Sequence, residues 1–148
     1  MISLIDSNQN ATMVSRLKAL EPDAKAVWGK MTAPQMLAHC RIPFAAAAGD
    51  AVSKRGLIGI LFGRLAKRKF IDSDAPFNRN SPTDPKFLVP GADDFDAERS
   101  SLIEAVLSFG THGPRTTNPH PFFGKLERDD WDRLMWKHLD HHLRQFGA

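Results

Sequence analysis

Between His138 and Gly147 the chain reads HLDHHLRQFG, and two of its imidazoles occupy positions where a helix usually presents core leucines. Trp131, Met135, His138, His142 and Phe146 advance in steps of three and four residues. All five therefore fall within roughly 80° of one another on a helix turning about 100° per residue. A buried face that carries two histidines needs a polar reason, and the simplest is a metal ion. Side chains at i and i+4 stand roughly 5–6 Å apart, so both rings can converge on a single ion.

Metal sites in helical bundles are assembled from facing helices, and His39 is the best complement to the pair. It shares a helix face with Thr32, Gln35, Met36 and Pro43, again as a lone imidazole at a core-like position. The bland readings are a satisfied core histidine for His39 and a histidine-rich surface end for the pair. If His39, His138 and His142 are ligands, three neutral imidazoles without a carboxylate favour Zn²⁺, Ni²⁺ or another borderline ion over Mg²⁺ or Ca²⁺, which want oxygen. Three protein ligands leave a position for water or a substrate thiolate.

Register separates the neighbours. His141 lies roughly 60° to the other side of His138 and fits the ligand face less well than His142. Asp140 points nearly opposite and is expected in solvent. His112, in a Gly-Thr-His-Gly-Pro stretch, reads as a turn residue. His120, between Pro119 and Pro121, either orients its loop through hydrogen bonds or lines the mouth of the site, for which Gln35, Trp131 and Met135 are the other lining residues.

Four helical segments must position these side chains. The first runs from about Asn10 to Leu20, ended by Pro22. The second follows Thr32 as N-cap, tolerates Pro34 in its first turn, is kinked at Pro43 and continues to about Gly49. The third starts near Asp93 or Asp94 and is closed by Gly110, and the fourth spans about Glu127 to Gln145. No alternating strand pattern occurs, and prolines crowd residues 71–92 and 110–122 into long loops of a kind that often carries function.

Composition narrows the class further. At 148 residues with 42% hydrophobic content, the chain fits one domain, 1–148, with a core of its own. A secretory signal and a membrane span of ~20 apolar residues are both missing, and the single cysteine, Cys40, reads as a small buried hydrophobe; a reducing cytoplasm is the expected location. The net charge of +3 is local: without Lys54, Arg55, Arg64, Lys67, Arg68 and Lys69, the remaining 14 basic residues are outnumbered by 17 acids. No nucleic-acid-binding motif accompanies the cluster. A serine relay lacks its nucleophile elbow, and GLIGILFG lacks the lysine and Ser/Thr of a phosphate loop. KRGLIGILFGRLAKRKF at 54–70 combines apolar and basic residues as interfacial helices do, yet the pattern fits a solvated helix packed on the bundle equally well, so membrane binding is set aside.

WGKMTAPQMLAHC at 28–40, SPTDP at 81–85, DDFDAERSSLIEAVLSF at 93–109 and HPFFGKLERDDWDRLMWKHLDHHLRQFG at 120–147 resemble an uncharacterised branch of the DinB/YfiT-like superfamily. The resemblance implies an all-α four-helix bundle with long irregular connections, commonly a homodimer. It also implies a divalent metal held by one second-helix histidine and an HxxxH pair, which carries over to His39, His138 and His142. Some members are metal-dependent transferases using low-molecular-weight thiols, and others are described as hydrolases. Leu126-Glu127 departs from the usual Ser or Thr cap and leaves the start of the last helix open. The combined expectation is a metal-dependent enzyme that activates a small thiol, with hydrolysis or non-enzymatic metal binding in a stress-related role as alternatives.

Overall fold

The computed structural model describes residues 2–50, 57–81 and 85–148. Lys54, Arg55 and residues 82–84 of the SPTDP segment lie outside them. The described residues form five α-helices and no strand: α1 (Ser7–Ala19), α2 (Ala33–Ala48), α3 (Leu57–Lys67), α4 (Phe95–His112) and α5 (Arg128–Gln145). A π-helical turn, Arg68–Asp72, follows α3, and a 3₁₀ turn, Pro85–Phe87, precedes α4.

Local chemistry explains most of the boundaries. Helix α1 begins three residues before Asn10 because the Asp6 carboxylate accepts the Gln9 amide, occupying one of the donors that a helix start leaves unpaired. Thr32 and Gln35 cap α2 reciprocally, and the helix runs through Pro43 to Gly49. Asp94 caps α4 at Ala97. Gly110 does not close that helix, which continues to His112 with Gly113 as its cap. The missing side chain at Gly110 instead makes room for Asn10 of α1, whose buried amide donates to the carbonyls of Leu4 and Val106. Glu127 opens α5, its amide held by Asp130 at 3.0 Å, so two acids perform the task expected of Ser or Thr.

Helices α2 and α1 each pack on both α4 and α5, and the core between them is continuous. Leu17, Leu37, Leu102, Val106, Met135, Leu139 and Leu143 are fully buried within it. Full burial of such side chains contributes about 1.5–3 kcal/mol each. The outlying α3 is tied to α5 through the turn that follows it. Lys67 bridges Asp72 and Asp130, the buried Lys137 ammonium donates to the carbonyls of Phe70 and Ser73, and Arg133 reaches the Ile71 carbonyl and Asp74. None of the described helices is long and apolar enough to cross a membrane.

The far side of α5 departs from expectation. Asp140 is buried rather than in solvent, held between Arg16 of α1 at 2.8 Å and Arg144 at 3.0 Å. Arg16 also donates to the main-chain oxygen of Ala148, so one guanidinium joins α1 both to α5 and to the residues that follow it. Just over two turns upstream, Asp132 clamps the segment before α1: it accepts from Ser3 Oγ at 2.6 Å and from the amides of Leu4 at 2.6 Å and Ile5 at 2.9 Å. Hydrogen bonds to a charged group are worth about 1.5–3 kcal/mol. Asp132→Ala is therefore expected to destabilise the fold by about 2–3 kcal/mol, read as a lower urea midpoint with an unchanged slope; a midpoint equal to wild type would show the clamp to be ornamental.

Candidate metal centre

Helix α5 presents His138 and His142 one turn apart, and α2 packs against it so that His39 meets both. The ring centroids lie 5.1 Å (His39–His138), 4.7 Å (His39–His142) and 4.7 Å (His138–His142) apart. One nitrogen from each ring falls within 4.8 Å of the others, a grouping that could hold a metal ion. His39 Nε2 and His138 Nε2 are 3.2 Å apart. Two nitrogens bound to one ion at about 2.0–2.1 Å and tetrahedral angles would stand about 3.3 Å apart, so this pair has the spacing that a shared ion requires.

Hydrogen bonds orient two of the rings. His39 Nδ1 lies 2.9 Å from the carbonyl oxygen of Phe87, and His142 Nδ1 lies 2.8 Å from Gln145 Oε1. Both acceptors lack a proton to give, so each Nδ1 carries the hydrogen and each Nε2 presents a lone pair, the arrangement that metal-binding imidazoles adopt. His138 is half-buried, but its Nδ1 is sealed from solvent without a hydrogen-bond partner.

The electrostatics point the same way. Burial depresses the pKa of all three imidazoles: His39 is lowered, His142 falls to about 3, and His138 falls well below its ordinary 6.5. Repulsion from the neighbouring rings adds to burial at His138 and His142. All three are therefore neutral at physiological pH, the protonation state a cation requires.

The support for this cluster comes from loops. Phe87 belongs to the 3₁₀ turn inside the proline-rich stretch, which thereby acquires a role in fixing His39. Gln145, a residue the sequence reading missed, accepts from His142 and donates through Nε2 to the Trp28 carbonyl at 2.7 Å. A Cβ at Gly29, which has φ +80°, would collide with that amide nitrogen. The Trp-Gly pair thus serves as a seat for Gln145. No periodicity signals this link, because Gln145 is an ordinary polar residue at a helix end.

The other proposed site residues take different places. Gln35 does not join the histidines; its amide is used by Thr32 N and the Pro90 carbonyl. His120 orients its loop: Nδ1 accepts the amides of Phe122 and Phe123, the main chain pairs with Gly124, and the ring packs 5.4 Å from Trp131. It remains close enough for its charge to act on His138. Trp131 and Met135 are buried along the same stripe of α5. His141 is outside the cluster, with Trp28 and Phe77 ring centroids 5.6 Å and 5.8 Å away. His112 is exposed at the end of α4. Cys40 is fully buried, its thiol near Met36 Sδ and its pKa pushed well up by burial.

Two measurements follow from this geometry. Removing the second-layer contact in Gln145→Ala is expected to weaken metal affinity about 10–100-fold, read by competition with a chelating dye; unchanged affinity would deny Gln145 any part in holding His142. In the metal-free protein, the unfolded chain binds more protons than the folded one between pH 6.5 and about 3, because His142 titrates near 3 when folded and near 6.5 when free. Its contribution to stability is thus fully present above about pH 6.5 and declines as pH falls towards 3. His142→Phe should flatten this part of the pH–stability curve, and urea midpoints with wild-type pH dependence would contradict the assignment.

A family model described as "Protein of unknown function (DUF1569)" matches residues 5–148. No curated protein and no solved structure matches significantly. With nearly its entire length matched, helices and histidine cluster included, the chain belongs to the DUF1569 family.

Proposed function

We propose that this protein is a divalent-metal-dependent enzyme of DinB/YfiT-like four-helix-bundle type, acting in the cytoplasm as a homodimer, with His39, His138 and His142 as the ligands. The observation that carries the reading is the meeting of three neutral imidazoles, two of them with Nδ1 committed to an acceptor and one nitrogen from each ring within 4.8 Å of the others. An all-nitrogen donor set suits Zn²⁺ or Ni²⁺. When bound, such an ion supplies Lewis acidity that lowers the pKa of a small thiol or of water.

The chain's own residues do the positioning. Phe87 and Gln145 hold the rings of His39 and His142, and buried Trp131 and Met135 continue the wall of α5 beyond His138. Cys40 is no nucleophile: its thiol is buried, held protonated by desolvation, and about 100° around α2 from His39. The nucleophile must come from outside, and the superfamily resemblance favours a low-molecular-weight thiol over water.

Metal titration with elemental analysis, followed by assays of metal-loaded protein against electrophiles and a thiol panel, tests this. His39→Ala, His138→Ala and His142→Ala are each expected to lose stoichiometric metal and thiol conjugation, while His141→Ala keeps both. Equal losses at His141 and His142 would refute the ligand set. Metal binding without thiol conjugation would refute the transferase, leaving hydrolysis if esters or amides turn over and a non-enzymatic metal-binding role if nothing does. Loss of activity in Cys40→Ala with metal retained would refute the external nucleophile.

A further inference from the structure

Helix α3 is built with its small residues inside and its large ones outside. Gly59 and Gly63 are buried. A Cβ at Gly59 would stand 2.8 Å from the Pro121 carbonyl oxygen and 2.9 Å from that of Phe122, so the helix lies directly on the main chain of that loop. On the other side Leu57, Ile58, Leu61, Phe62 and Leu65 are 56–79% exposed. At about 100° per residue these five cover an arc of roughly 140°, and Arg64 lies between that arc and Ile60, which is 56% exposed. A helix packed on a bundle shows the reverse arrangement, apolar side inward.

The stripe is held in this orientation. The ion pairs of Lys67 and the hydrogen bonds of Lys137 and Arg133 anchor the turn after α3 to α5. Turning the leucines inward would break those contacts and the glycine contact together. The charges around the stripe have one sign. Arg64, Arg68 and Lys69 are exposed and form no ion pair among the described residues, while nearby Asp72 is taken by Lys67.

We propose that α3 is an interfacial helix that docks the protein on an anionic lipid bilayer, its apolar stripe at the acyl boundary and its basic residues against the headgroups. At 11 residues it is about 16 Å long, far short of a ~30 Å hydrocarbon core, so it lies in the plane of the surface. Charge complementarity selects this occupant. A second copy on the same face brings like charges together across a two-fold axis, and a nucleic acid offers nothing to the leucines. On the sequence alone membrane binding is set aside, because the 54–70 pattern also fits a solvated helix packed on the bundle; with Gly59 and Gly63 inward and the large apolar residues outward, α3 does not pack that way.

Flotation of the full chain with phosphatidylcholine vesicles, with and without phosphatidylserine, tests the proposal. Binding is expected only with phosphatidylserine, and it should fall as salt rises from about 0.15 M to about 1 M and the screening length shrinks from about 8 Å to about 3 Å. Arg64→Gln and Arg68→Gln should each reduce partitioning about fivefold. Leu61→Asp with Leu65→Asp should abolish it, and thermal unfolding should be unchanged because both positions are exposed. Three results would overturn the proposal: no flotation with anionic vesicles, equal binding to neutral ones, or a dimer in light scattering that the double aspartate variant converts to monomer.

Discussion

Three basic side chains share one desolvated point between α2 and α5, and much of the surrounding structure answers that constraint. A buried imidazole has two nitrogens to satisfy, and a cluster of three cannot relieve itself by charging, because each proton would be both desolvated and repelled by its neighbours. The rings therefore stay neutral and need oriented acceptors. Phe87 supplies one and Gln145 another, while His138 Nδ1 receives none. His39 Nε2 faces His138 Nε2 at 3.2 Å, where its lone pair is met either by a hydrogen on His138 or by a cation shared between the two rings.

That requirement reaches into segments with no regular structure. The stretch between α3 and α4 places a main-chain carbonyl against His39, and the stretch between α1 and α2 places the Trp28 carbonyl against Gln145. Long connections in a compact fold are costly in conformational entropy unless something holds them. Here each is held by a hydrogen bond that also aligns a ring. Each of these loops thus takes part in positioning the site.

The opposite side of α5 is secured by paired charges. Asp132 gathers the residues before α1, Asp140 takes Arg16 and Arg144, and Lys137 is buried against two carbonyls with burial lowering its pKa. Asp132, Asp140 and Lys137 each meet a partner on a different element, so α5 is fixed in rotation as well as in position. A helix free to rotate by one residue would move its histidines by about 100°, and these pairs resist that rotation. Helix α3 hangs from the same helix through Lys137 and Arg133, with Gly59 on the His120 loop. Its orientation is thereby tied to the element that carries two of the three histidines.

Helical phase is a local property, and for that reason the trio of His39, His138 and His142 and the all-α character could be read directly from the chain. The cap at Thr32 and a helix start at Asp93 or Asp94 were equally legible, because a cap depends on residues three apart. What covers a face is decided by another part of the chain, and there local reading stopped. Asp140 was placed in solvent because its position on α5 says nothing of Arg16 on α1. Gly110 was taken as a helix end because its role, making space for Asn10, involves a partner from a different helix. Gln145 was overlooked and Gln35 assigned to the site for the same reason. Period shows which side chains travel together, whereas burial, hydrogen-bond partners and the outward face of α3 exist only once the helices have met.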